Sequence, residues 1–192
     1  MPTSPTPPIE LLGSGTRLTG AGVEVPEEAV AALASICETI EADSTTVGPV
    51  AEARRVWWPL ARHGALAGQV PRRVDVVVRP TSTDEVVRVV QVCNNARMPL
   101  TVTGGRSGVC GAAAPVFGGV VLDATALAGV VDVDATSGIV EVLPGTFGPD
   151  LEDELRTVHG LSVGHFPQSF DLATVGGWVA ARGAGQYSTR YG

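Results

Sequence analysis

Charge is thin in this sequence, and positive charge thinner still. Only 17% of the 192 residues are charged, and 13 Lys+Arg stand against 20 Asp+Glu, a formal net charge of −7. That balance excludes the net basic face that a nucleic acid or an anionic membrane needs, and leaves room only for a local basic spot. Cysteine is almost as scarce. Cys37, Cys93 and Cys110 are odd in number and widely spaced, which fits neither a disulfide framework nor a metal site, so the expectation is a reducing cytoplasm and no metal. No run approaches the ~20 apolar residues that cross a bilayer. Met1 to Pro8 has neither a basic start nor an apolar core, so it reads as a frayed tail and not as a secretory signal. There is no Gly-Lys-Ser/Thr, which removes the P-loop. What remains is a globular chain, 44% apolar with 24 glycines, long enough for one sizeable core or two small ones.

The most informative stretch runs from Thr101 to Gly111, Thr-Val-Thr-Gly-Gly-Arg-Ser-Gly-Val-Cys-Gly. A β-branched run leads into a loop where glycine lets consecutive N–H groups turn toward one point. Such a nest of N–H dipoles binds anions, here a phosphate or pyrophosphate. Upstream, Val74–Val78 ahead of Pro80 predicts a strand. Ser82 and Glu85 form a capping box for a helix that buries Val86, Val89, Val90 and Cys93, and Leu100–Thr103 predicts the next strand. Strand, helix and strand within thirty residues make a βαβ unit with parallel strands. The loop therefore lies at the carboxyl edge of a strand, where open α/β sheets bind ligands. It is followed by the strand Val120–Asp123 and not by a helix, so a Rossmann fingerprint fails and any phosphate site is built from loop amides.

The rest of the chain follows from local signals. Pro26-Glu27-Glu28 predicts a helix whose apolar stripe is Val30, Leu33, Cys37 and Ile40. Gly48 to Gly68 carries Arg54, Arg55, Trp57, Trp58, Arg62 and His63, which read as an arm docked on the main body, the alternative being paired tryptophans and arginines that line a ligand pocket. Residues 130–134 and 139–143 flank Thr136-Ser137-Gly138 as a hairpin, with Gly138 at positive φ. A helix from about Pro149 places Leu151, Leu155 and Val158 inside and closes at Gly160. His159 beside that glycine reads as a residue at the negative dipole end. From His165 to Gly185 the small residues Gly176, Gly177, Ala180, Ala181 and Gly183 make either a tightly packed turn or a surface that something flat approaches closely.

Residues Val74 to Gly192 resemble the first part of the FAD-binding domain of the vanillyl-alcohol-oxidase (PCMH) type, as found in bacterial flavoproteins similar to alkyldihydroxyacetone-phosphate synthase (alkylglycerone-phosphate synthase). Three motifs carry the resemblance: the Thr101–Ser107 loop, the Pro144-Gly-Thr turn, and Pro167-Gln-Ser-Phe-Asp-Leu-Ala-Thr-Val-Gly-Gly-Trp178 with its Ala-Arg-Gly-Ala continuation. Trp57–Ala61 is similar to the N-terminal extension of the same synthases. The resemblance implies an α+β fold, with a βαβ start, then a hairpin and helix. It divides the chain into a tail over 1–8, a helical extension over 9–72 and the N-terminal part of the FAD-binding domain over 73–192, cut off before its second half and the cap domain. It further implies that Thr103, Gly104, Gly105, Arg106 and Ser107 contact the FAD pyrophosphate, with Thr101 and Gly108 at the ends of the same cofactor-binding stretch. Pro167, Gln168, Ser169, Ala173, Thr174 and Gly177 would approach the flavin or its phosphates, and Ala181, Arg182, Gly183 and Ala184 would continue that wall.

Departures from the pattern matter. Threonine is common in the synthases where this chain has Arg106, and hydroxyls where it has Ala173 and Ala184. Arg106 is expected to compensate by pairing with phosphate. Relatives that attach flavin covalently carry histidine at that place, so the expected FAD is non-covalent and dissociable. His165, just before the flavin motif, is the nearby titratable candidate for acid–base work, set against the more ordinary reading of a structural histidine, and the catalytic base is otherwise unassigned. The expected function is that of an FAD-dependent oxidoreductase-type flavoprotein, synthase-like or acting on a 2-hydroxy acid or alcohol. Its small-molecule substrate would be held by the cap domain, and the full-length protein could form a homodimer. The alternative is a non-catalytic nucleotide-binding or interaction module, the remnant of such an enzyme.

Overall fold

The computed structural model describes residues 22–41 and 74–191. Trp57, Trp58 and their neighbours, and the tail at Met1 to Pro8, lie outside the described residues. Two compact units divide the chain. One combines Met1–Val102 with Gly108–Leu122, the other Thr103–Ser107 with Asp123–Gly192.

The first unit is built on a four-stranded sheet. Helix α1 (Glu27–Ala34) has Pro26 as its N-cap and two acids in its first turn, as the positive dipole end favours. It stops before Cys37, and Glu38–Glu41 forms strand β1, so the expected helical stripe through Cys37 and Ile40 is corrected. Ala29 and Leu33 are its buried residues instead. The physical reason lies in the pairing. β1 runs antiparallel to β2 (Val76–Arg79), Ile40 opposite Val77, and Ile40 packs on the Val74, Val77 and Val121 cluster. A tertiary partner thus outweighs helical periodicity, and a segment expected to belong to a helical extension supplies an edge strand.

Helix α2 (Thr83–Asn95) begins as the sequence predicts. Ser82 Oγ accepts from the Glu85 amide, and the Glu85 carboxylate accepts from the Thr81 amide at 2.6 Å, one residue earlier than in the usual box. Of the expected buried face, Val89 and Cys93 are buried, whereas Val90 is exposed. Strand β3 (Leu100–Thr103) and strand β4 (Val120–Asp123) coincide with their predicted ranges. The sheet order is β1-β2-β4-β3, with β2 and β4 parallel. The βαβ unit therefore does not set its two strands side by side, because β4 inserts between them. Interior strands of this kind are covered on both faces and read as unbroken apolar runs; Val76, Val77, Val78, Val120, Val121 and Leu122 are all buried. Gly119 makes the approach to β3 feasible: its φ is +75°, and a Cβ there would meet the Pro99 carbonyl oxygen at 2.5 Å. Burial pushes the Cys93 thiol above its usual range, and does the same to Cys37, as expected of packed and not reactive cysteines.

The second unit holds the hairpin β5 (Val130–Asp134) and β6 (Ile139–Val142), antiparallel, with Gly138 at φ +68°. Helix α3 (Gly148–His159) has proline in its first turn and ends on Gly160 in the left-handed region. Leu151 and Leu155 are buried, but Val158 is 68% exposed, which corrects its expected place inside. Glu152 faces inward in its stead, accepting from Ser162 Oγ at 2.9 Å and from the Val163 amide at 3.0 Å. A 3₁₀ turn (Phe170–Leu172), helix α4 (Val175–Ala181) and a short helix α5 (Ser188–Tyr191) complete the unit. Its core joins Leu151, Leu155, Ala173 and Trp178, with hairpin valines packed against them.

Candidate functional site

Three separated stretches meet in the second unit through backbone contacts. The Pro144-Gly145-Thr146 turn is clamped on the following motif: Val175 N donates to Thr146 O at 2.9 Å and Gly176 N to Pro144 O at 2.8 Å. Thr146, itself buried, donates its hydroxyl to Leu143 O and accepts from the Gly129 amide. Gly104 and Gly105 then lie against the far side of the same segment. A Cβ on Gly105 would stand 1.9 Å from Leu172 O, and one on Gly104 would stand 2.3 Å from Thr174 Oγ1. Glycine at 105 lets one backbone touch another, and glycine at 104 admits the Thr174 side chain. The tightly packed reading therefore accounts for Gly176, where a Cβ would stand 2.7 Å from Pro144 Cβ, and Gly104 and Gly105 are closely packed as well. Gly177 and Gly108 differ. A Cβ on Gly177 would meet only Thr174 Oγ1, at 3.3 Å, and one on Gly108 nothing within 4 Å.

The loop that follows Gly104 carries a run of amides. Among the described residues, the N–H groups of Gly105, Arg106 and Ser107 find no protein acceptor. Arg106 has φ +56° while Gly105 is not in that region. A change of φ sign between neighbours is the geometry that turns successive N–H groups to one side. For a non-glycine residue this conformation costs about 1–2 kcal/mol, so the fold supports it from elsewhere.

The support comes from a residue that sequence reasoning missed. Arg106 Nη2 bonds Asp123 Oδ2 at 2.8 Å, with the two side chains only 15% and 10% exposed. Asp123 Oδ1 accepts from Thr125 N and Thr125 Oγ1 at 3.0 and 2.7 Å. Nothing local in the sequence announces a pair 17 residues apart. The expected pairing of this guanidinium with phosphate is thus met by a carboxylate of the protein itself.

The remaining predicted residues are distributed as follows. Thr103 ends β3, buried, and Thr101 lies earlier in that strand; Thr101 and Gly108 are counted with the sheet unit. Ala173 and Thr174 are buried, Thr174 against Gly104. Pro167, Gln168 and Ala184 line an open groove of about 560 Å³ together with Phe166, Gly185 and Gln186. Ser169 precedes the 3₁₀ turn, and Gly177 and Ala181 are exposed along α4. Arg182 closes that helix at φ +50°, and Gly183 follows near His165 Nε2 and Trp178. His165 meets the Trp178 ring edge-on at 5.0 Å. His165 Nδ1 and Trp178 Nε1 are both buried and have no partner among the described residues. Among those residues no cluster of three or more metal-ligating side chains occurs, and no helix is long and apolar enough to cross a membrane.

The second unit thus presents loop amides without an acceptor among the described residues and, in residues 166–168 and 184–186, an open groove. Residues 74–192, more than half of the chain, match the family described as FAD binding domain, and the chain belongs to that family. The alkyldihydroxyacetonephosphate synthase of Dictyostelium discoideum is 36% identical over 128 residues, covering 65% of this chain and 21% of that protein. The D-lactate dehydrogenase of Anaerostipes hadrus is 33% identical over 130 residues, 68% of this chain and 27% of that one. A solved structure of p-cresol methylhydroxylase with substrate bound matches with a TM-score of 0.68 at 20% identity, over 82% of this chain and 30% of that one; it shows the fold. The chain spans between a fifth and about a quarter of the length of these curated relatives. FAD is the cofactor of the family, and the amide run fits its pyrophosphate, a dianion that needs several convergent donors.

Proposed function

We propose that the chain forms the pyrophosphate-gripping part of an FAD-dependent oxidoreductase-type flavoprotein that holds its flavin without a covalent bond. The observation that carries this reading is the run of amides at Gly105, Arg106 and Ser107, which have no acceptor among the described residues. FAD, when bound, supplies the redox chemistry. The chain's own residues bind and position: the amides take the diphosphate, and Gly177 leaves room at the surface of α4. The groove lined by Pro167, Gln168 and Ala184 takes a flat apolar ring in this reading, walled by small side chains and by Phe166. Position 106 is arginine and not histidine, which supports a dissociable flavin.

The full-length protein acts on a small molecule, in a synthase-like reaction or on a 2-hydroxy acid or alcohol, with most substrate contacts made outside this chain, in a cytoplasmic setting and as a homodimer. The test is to purify the full-length protein, record its visible spectrum, and repeat after incubation with FAD and then after denaturation. A flavin spectrum that separates from the denatured polypeptide is expected. A protein that stays colourless with excess FAD overturns the reading in favour of a non-catalytic module, and flavin that remains attached after denaturation overturns the non-covalent part.

A further inference from the structure

We infer that the Arg106 side chain is a positioning latch for the amide run and not a ligand of the phosphate, and that its closure on Asp123 sets the affinity for FAD. The inference rests on the FAD reading of the loop. Four observations carry it. First, the guanidinium is already engaged, at 2.8 Å, by a carboxylate that is itself fixed on its other oxygen by Thr125. Second, the pair is largely buried, and Arg106 Nε is buried with no partner among the described residues, so little water is there to compete with the ion pair.

Third, Arg106 occupies a left-handed backbone conformation that glycine would adopt freely. At a position that glycine would fill without strain, what arginine adds is its side chain, and that side chain bonds Asp123. Fourth, close approach of Gly104 and Gly105 to Leu172, Ala173 and Thr174 ties the loop on one flank. The Asp123 bond ties the residue that follows, so Arg106 is held from both sides and the neighbouring N–H groups stay aimed together. Such preorganisation acts on affinity by removing an ordering cost that binding would otherwise carry.

The measurement is the dissociation constant of the full-length apoprotein for FAD and, separately, for riboflavin, which has no phosphate, followed by flavin fluorescence. The variants are R106A, R106G, D123N and R106A/D123N, with the thermal midpoint of each apoprotein alongside. D123N keeps an oxygen for Thr125 while withdrawing the negative charge from Arg106. A latch predicts that R106A and D123N each weaken FAD at least tenfold, change riboflavin less than twofold, and together cost no more than the worse single variant. R106G relieves the backbone strain, so its apoprotein keeps the wild-type midpoint or exceeds it while FAD weakens as in R106A. Tighter FAD in D123N would overturn the latch, because it would mean that Asp123 withholds a phosphate ligand. Equal losses for FAD and riboflavin would reduce Arg106 to a structural role and overturn it too. A wild-type protein that binds neither flavin would instead bring down the FAD reading itself.

Discussion

The two units solve close packing in opposite ways. In the sheet unit, contact is made by side chains: Val74, Val76, Val77, Val78, Val120 and Val121 are each no more than 1% exposed. The loop unit has its own side-chain core at Leu151, Leu155 and Trp178, but around the amide loop and the turns it packs on, contact is made where side chains are missing. Gly104, Gly105, Gly145, Gly148 and Gly176 each lie so close to other parts of the unit that a Cβ would fall within 3 Å of another atom. A valine interior tolerates loss of volume gradually. A backbone-on-backbone contact tolerates no addition, and in return it leaves N–H groups unshielded and available to an anion.

The sharpest way to break this contrast is Gly105→Ala. Its Cβ would overlap a backbone carbonyl that cannot rotate away, so a loss of roughly 3 kcal/mol, the upper end for overpacking, is expected, together with loss of FAD retention at temperatures where the protein is still folded. Urea denaturation and flavin fluorescence read the two effects. Next comes Val77→Ala in the sheet, expected to cost about 2 kcal/mol through the cavity it leaves, yet to leave the FAD dissociation constant of the folded protein within twofold. If Val77→Ala weakens FAD as much as Gly105→Ala does, the division of labour is wrong.

Gly160→Ala probes the loop unit away from the amides. Nothing lies within 4 Å of the added Cβ, but φ is +65°, so the expected cost is about 1 kcal/mol from backbone strain alone. Replacing Gly160 with asparagine, which tolerates that conformation better, should recover part of the loss in the same denaturation experiment.

The smallest effect concerns pH. The Glu85 carboxyl is held below its ordinary range, first by accepting from the Thr81 amide and further by the Thr81 hydroxyl and Arg88. The folded chain therefore binds fewer protons there than the unfolded chain. This contribution is complete above the ordinary glutamate pKa and is lost as pH falls through the lowered folded value. Glu85→Gln should flatten the acid limb of the stability curve slightly and leave flavin affinity at neutral pH unchanged. An unaltered acid limb would show that the Thr81 contacts do not persist in solution.

What could be read from the sequence alone follows the same division. β3, β4, the hairpin turn at Gly138 and the cap at Gly160 were legible because their signals are local: β-branched runs, turn residues and a positive-φ glycine. The insertion of β4 between β2 and β3 was not legible, since strand order depends on contacts far apart in the chain. Cys37 and Ile40 show helical spacing from Val30, yet β2 offers that segment a sheet edge and the helix stops short of it. Val158 sits at helical spacing from Leu151 and Leu155, but Glu152 takes the inward position by satisfying Ser162 and Val163. At the candidate site, glycine density drew attention to the loop. It could not say which glycines touch protein and which face open space, and it could not pair Arg106 with Asp123.

Hydrogen–deuterium exchange on the full-length protein, with and without FAD, tests the amide run most directly. The account predicts that FAD slows exchange in a peptide covering residues 103–107, that riboflavin does not, and that α2 at 83–95 is indifferent to both. Flavin binding with no added protection at 103–107 would contradict it.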